Sequence, residues 1–174
     1  MGMFPRGGKT LFTMSKTELV FLDAGIFIGA LLNQDPRHSE ARPIVEAARC
    51  GNLLACTSVG VLSEVYAALT WSGSQPPQAP KNAGQAVRLL VDKPSQIVVL
   101  ETNFPASMKM LEIAASQNLT ARRIHDARHA ATALVAGVYK VYTYDPQDWR
   151  LFEPYGIRIV GPDSVCSGNE SLPI

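Results

Sequence analysis

The sequence predicts an α/β fold with a mostly parallel sheet of four to five strands. Three observations predict it. Short apolar runs alternate with stretches of helical periodicity, the order of βαβ units. The first such run, Leu19-Val20-Phe21-Leu22, has no polar position, which suits a strand buried on both faces of a parallel sheet. That run ends on an acid, Asp23, followed by Ala24-Gly25 and a second apolar run, Ile26 to Leu32, suited to a helix. In open α/β sheets ligands sit outside the carboxyl ends of the strands, so Asp23 is expected at the edge where a ligand would bind.

The remaining elements follow in order. Asn33-Gln34-Asp35-Pro36 makes a turn, and His38 to Cys50 has apolar residues at helical spacing, with Pro43 placed in its first turns or kinking it. Gly51-Asn52 is a helix stop, Leu53 to Cys56 a second short strand, and Thr57 or Ser58 a cap for a helix over Val59 to Leu69. Ser72 to Asn82, with three prolines and no periodicity, is a loop inside one domain. A helix near Ala83 to Val91, a strand Ile97 to Leu100 and an amphipathic helix Pro105 to Gln117 come next. An Ala-rich helix, Ile124 to Ala136, is stopped by Gly137, a fourth strand covers Val141 to Thr143, and Gly156 to Val160 is a fifth at an edge.

With 174 residues, 47% of them hydrophobic and 18% charged, the chain supports one domain with a sizeable core. Residues 16–162 are expected to form it, between a disordered leader (1–15) and a polar tail (163–174). A net charge of +1 provides no overall field for nucleic acid, so polyanion binding needs a local patch. Cys50, Cys56 and Cys166 form no C-x-x-C pair and no His/Cys cluster, which argues against structural zinc and for a reducing, cytoplasmic setting. Cys50 and Cys56 are expected as small buried hydrophobes. No transmembrane-length window and no secretory signal are present. Gly-Gly-Lys-Thr at Gly7 to Thr10 has Met3 where a P-loop needs its first glycine and no strand before it; Met14 is a plausible start of the folded part.

Acids recur at the strand–helix junctions: Asp23 in FLDAG, Glu64 in SEVYAAL, and Asp145 in TYDPQDW, with Asp126 near the start of the Ala-rich helix in HDARHAATAL. Right-handed crossovers bring the carboxyl ends of parallel strands to one side, so Asp23 and Asp145 would meet if their strands are neighbours. Each acid has an ordinary explanation on its own. Asp23 and Asp145 suit turns or caps. Glu64, among Leu62, Val65 and Tyr66, needs a partner. Asp126 is spaced for an ion pair with Arg122 four positions before it. Together, four carboxylates around one crevice would repel one another unless a divalent cation neutralised them. An oxygen-only ligand set suits Mg²⁺ or Mn²⁺, and such sites perform phosphoryl chemistry.

These blocks, in this order and context, resemble the PIN-domain nucleases, especially the VapC-like toxins of toxin–antitoxin pairs. The resemblance runs from Leu19 to about Val160, and its third and fourth blocks are the specific ones. It implies a three-layer α/β/α sandwich and a Mg²⁺- or Mn²⁺-dependent endoribonuclease with one or two ions, whose products carry 5′-phosphate and 3′-hydroxyl ends. It also implies homodimers and a small antitoxin that blocks the acidic pocket. Asp23, Glu64, Asp126 and Asp145 match the acidic quartet, and Asp148 a further metal-directed acid. Thr143 matches the hydroxyl residue, expected to hydrogen-bond a carboxylate or a water at the scissile phosphate. One departure stands out: the family often has a hydroxyl or amide residue after the first acid, where this chain has Ala24-Gly25.

Arg122, Arg123, Arg128 and His129, with His125, surround Asp126 and form a candidate phosphate-gripping patch, against the plainer reading of a solvated face. Trp71, Tyr142 and Tyr144 are candidates for base stacking, whereas Trp149 is expected in the core. The proline loop and the helix before it are a candidate dimer or antitoxin surface, against the plainer reading of a simple loop. The expected function is a cytoplasmic metal-dependent endoribonuclease, the toxin of such a pair. The alternative is a non-catalytic PIN module that binds RNA or a protein, with Ala24-Gly25 its one foothold. A haloacid-dehalogenase-type phosphatase needs an acid at position 25, and a Rossmann domain needs a glycine fingerprint; neither is present.

Overall fold

A computed structural model describes residues 18–74 and 76–167. The expected leader, including the Gly7 to Thr10 segment and Met14, lies outside the described residues, as does the expected tail from residue 168 on; the first five residues of that tail, Asp163–Ser167, form a helix instead. β1 (Val20–Leu22) passes into α1 (Ala24–Leu31) through Asp23, whose extended backbone and side-chain bond to the Ala24 N–H make it the helix N-cap. α2 (His38–Arg49) has Pro43 inside it and buries Ala41, Val45 and Ala48. β2 (Ala55–Ser58) leads to α3 (Val59–Thr70), with Ser58 as the cap accepting from the Val61 N–H. α4 (Pro80–Val91) starts three residues before the expected Ala83, because the last proline of the loop occupies the first helical position, where its missing N–H costs nothing.

β3 (Val98–Leu100) is followed by α5 (Phe104–Ser116), capped by Asn103, and α6 (Arg123–Val135). Gly137 ends that connection at a φ of +73°, a conformation open to glycine without strain. β4 (Lys140–Tyr142), α7 (Pro146–Arg150), a 3-10 turn (Glu153–Tyr155), β5 (Arg158–Gly161) and α8 (Asp163–Ser167) complete the described chain. α7 was not legible in the sequence: five residues are too few to display a helical period.

The sheet has five strands in the order β3-β2-β1-β4-β5, and every pairing is parallel. β1 is central, pairing Phe21 with Cys56 on one side and Val141 on the other. Successive strand residues point to opposite faces, yet Val20, Phe21 and Leu22 are all buried, so helices cover both faces of the sheet. β5 lies at an edge, as expected.

Around Phe21 the core is aromatic, with Trp149 at 5.6 Å between ring centroids and Phe152 packed edge-on against Trp149. Trp149 is therefore a core residue, and each such burial contributes about 2–3 kcal/mol. Cys56 is buried in β2, and burial pushes its thiol up to about 12. Cys50 corrects the expectation of a buried hydrophobe: it caps the C-terminus of α2, past the buried stripe, and is exposed. No helix among the described residues is long and apolar enough to cross a membrane.

Candidate active site

Strand order 3-2-1-4-5 reverses direction between β1 and β4, and a crevice opens at the carboxyl ends of strands at such a switch point. Asp23 follows β1 directly; Asp145 follows β4 by way of Thr143 and Tyr144. Glu64 comes from α3 and Asp126 from the first turn of α6. All four, with Asp148, line one cavity of about 240 Å³. The adjacency of β1 and β4 brings Asp23 and Asp145 together, and the packing of α3 against α6 adds Glu64 and Asp126.

Asp23 is held from several directions. Its Oδ1 accepts from the Ala24 N–H at 2.8 Å, and its Oδ2 accepts from the Thr143 hydroxyl at 2.7 Å and the Trp149 indole N–H at 3.0 Å. Thr143 is fully buried and its hydroxyl oxygen also accepts from the Asp145 N–H at 2.9 Å, so one side chain ties both strand-end acids together. The donor missing at Ala24-Gly25 is thus supplied by Thr143, Trp149 and the backbone.

Glu64 uses a different support. Its Oε1 accepts from Nε2 of His129 at 2.7 Å and is 3.4 Å from the Arg128 guanidinium. These contacts outweigh the cost of burial and hold the Glu64 carboxyl below its usual range. Asp126 behaves in the opposite way. Burial, reinforced by the charges of Asp148 and Asp23, pushes it up to about 6. Asp145 is raised as well, by burial first and then by Asp148. The cavity is a place where negative charge is crowded and only partly compensated.

The basic residues separate. Asp126 makes no ion pair with Arg122, which stands exposed at the N-cap of α6. Arg123 reaches across to Asp148 at 3.3 Å instead. His129 is 1% exposed and points inward between Ser58 and Glu64, so direct contact with RNA is ruled out for it by burial. Trp71 is exposed beside the proline loop, whereas Tyr144 donates to Glu40 and lines the acidic cavity.

Two residues of the site escaped the sequence. Arg37 lines the acidic cavity from the N-cap of α2, its guanidinium paired with Asp35 at 2.6 Å and lying over the Tyr144 ring. Ser58, read only as a cap, also bonds His129 Nδ1 at 2.9 Å. No local pattern marks either role, because both depend on contacts distant in sequence. Among the described residues, no three acidic, imidazole or thiol groups already stand as a closed ligand set for a metal. The donors facing the cavity are carboxylate oxygens, the chemistry of a hard cation that keeps some of its waters.

The fold and this acid-lined switch point define a class. The sequence matches the PIN domain over residues 20–151, and the chain belongs to the PIN domain family. Its fold is shared by VapC20 of Mycobacterium tuberculosis, a Sarcin-Ricin loop cleaving toxin, at 18% identity and a TM-score of 0.62, over 82% of this chain and 99% of that one. The DNA-bound VapBC of Salmonella typhimurium is similar at 20% identity and a TM-score of 0.57, over 82% and 97% of the two chains. FitAcB of Neisseria gonorrhoeae gives 15% identity, the same TM-score of 0.57 and the same coverages of 82% and 97%. At such identities the likeness concerns the fold. A comparison with curated proteins finds no match.

Proposed function

We propose that this protein is a metal-dependent endoribonuclease, the toxin of a toxin–antitoxin pair. The observation that carries the reading is the convergence of Asp23, Glu64, Asp126 and Asp145 in one cavity, with Asp126 raised to about 6 by burial and by its acidic neighbours. Such crowding disfavours an empty, fully ionised site and favours a bound divalent cation.

Asp23, Glu64, Asp126 and Asp145 would hold Mg²⁺ or Mn²⁺, one ion or two, directly or through water, with Asp148 assisting. When bound, the cation would lower the pKa of a water and stabilise the charge that develops on the scissile phosphate. The residues of this chain do the positioning. Thr143 and Trp149 fix the orientation of Asp23, and Thr143 fixes the backbone of Asp145. Arg122 and Arg123 at the start of α6, with Arg128 further along it, would meet the flanking phosphates of an RNA strand. An antitoxin partner is supported by the fold shared with the VapBC complex of Salmonella typhimurium. A cytoplasmic location and a homodimer belong to the same reading.

The test is cleavage of a mixed single-stranded RNA pool by purified protein, with Mn²⁺ or with EDTA, beside Asp126→Asn. Cutting that needs both the metal and Asp126 is expected. Absence of cutting by protein shown to carry no co-purified partner would overturn the assignment and favour a binding module.

A further inference from the structure

The support of Glu64 has a polarity that can be read atom by atom. Ser58 Oγ accepts from the Val61 N–H at 3.3 Å and stands 2.9 Å from Nδ1 of His129, holding the ring from the side opposite Glu64. Nε2 faces a carboxylate oxygen, so Nε2 carries a proton. That proton points at Oε1 of Glu64, 2.7 Å away; the other tautomer would set a lone pair against a carboxylate, which can only accept. Ring and hydroxyl are both buried, so water cannot substitute for either bond.

The packing makes room for this chain of bonds. A Cβ at Gly60 would stand 2.8 Å from Cε1 of His129 and 2.7 Å from the Arg128 guanidinium, so only glycine lets α3 approach α6 closely enough. His129 and Arg128 both engage Oε1. Neither contact uses Oε2, the second carboxylate oxygen of a residue that lines the acidic cavity.

We propose that Ser58 and His129 are positioning residues for Glu64: the Ser58 hydroxyl holds the His129 ring through Nδ1, and the His129 Nε2–H clamps one carboxylate oxygen so that the other is free for a divalent cation. This rests on the metal-dependent reading of the same site. The clamp acts without contact between His129 and cation or substrate. It fixes a flexible glutamate before binding, so less ordering remains to be done when the ion arrives.

The experiment titrates the full-length protein with Mn²⁺ alone and compares wild type, His129→Leu, His129→Gln and Ser58→Ala, with ¹⁵N NMR of the His129 ring as a second readout. Wild type should show a protonated Nε2. His129→Leu should bind Mn²⁺ about 10–100-fold more weakly, and His129→Gln, whose amide N–H can replace the donor, should stay within about threefold of wild type. If His129→Leu fails to fold, Ser58→Ala decides: weaker Mn²⁺ binding supports the clamp, and an unchanged affinity overturns it. A glutamine variant as weak as the folded leucine variant, or a leucine variant as tight as wild type, also overturns it. Wild-type protein that binds no Mn²⁺ overturns the metal reading and the clamp with it; normal wild-type binding with unchanged variants overturns the clamp only.

Discussion

Thr143 and Asp23 are separated by 120 positions in sequence and joined by a 2.7 Å hydrogen bond, from the Thr143 hydroxyl to Oδ2. The same hydroxyl oxygen receives the N–H of Asp145. Thr143→Val keeps the shape of the side chain but strands a buried acceptor and a backbone donor. It should lower stability by about 1–3 kcal/mol in urea unfolding and slow RNA cleavage. Thr143→Ser should retain most of both. A valine variant that cleaves and unfolds like wild type would refute this role.

Asp126 opposes folding at neutral pH. A carboxyl raised from 3.8 to about 6 in the folded protein favours its protonated form there, so its contribution to stability is fully present below the ordinary pKa. That contribution is lost as pH rises toward about 6 and stays lost above it. Asp126→Asn removes the penalty. In EDTA it should melt about 2–4 °C higher than wild type at pH 7.5, corresponding to roughly 1 kcal/mol, and the difference should shrink toward zero near pH 4. The same variant should lose cleavage, so stability and activity should move in opposite directions. Equal melting temperatures at pH 7.5 would mean that the crowding of Asp126 by Asp148 and Asp23 is relieved in solution.

Gly60→Ala tests the contact between α3 and α6 directly. The added methyl meets a buried imidazole rather than only a flexible chain end. Despite the better helix propensity of alanine, a net loss of about 1–3 kcal/mol is expected, read as a lower denaturation midpoint. A stabilised Gly60→Ala variant would show that His129 and Arg128 can retreat at no cost.

Glu40 fastens the end of the described chain. It accepts from the Ser164 N–H at 2.9 Å, the Ser164 hydroxyl at 2.7 Å and the Tyr144 hydroxyl at 2.9 Å, joining α8 to α2 beside the cavity. Glu40→Ala should raise amide exchange across α8 while the sheet amides keep their protection. Unchanged exchange at Ser164 would show that packing on β5 holds the helix without Glu40.

The helices and strands were largely legible in the sequence, since their signals are local. Apolar runs bounded by Gly, Pro and capping residues placed all five strands within a residue or two, and the apolar continuity of β1 announced its two-sided burial. The short α7 and α8 and the true start of α4 were not legible, for want of length in the first two and because a proline can begin a helix in the third.

Within the site, the sequence determined which residues carry charge and that Asp23 and Asp145 follow strands. It did not determine their company. Arg122 was spaced to pair with Asp126, yet Arg123 pairs with Asp148; His129 looked like part of a basic surface, yet it is buried beneath Glu64. Helical spacing specifies which residues share a face, but only the packing of α6 against α3 and β2 decides which face is covered. Strand order decides the rest. Because β4 enters the sheet beside β1, Thr143 and Asp145 arrive at Asp23, and a crevice of acids forms at a point that no local stretch of the chain encodes.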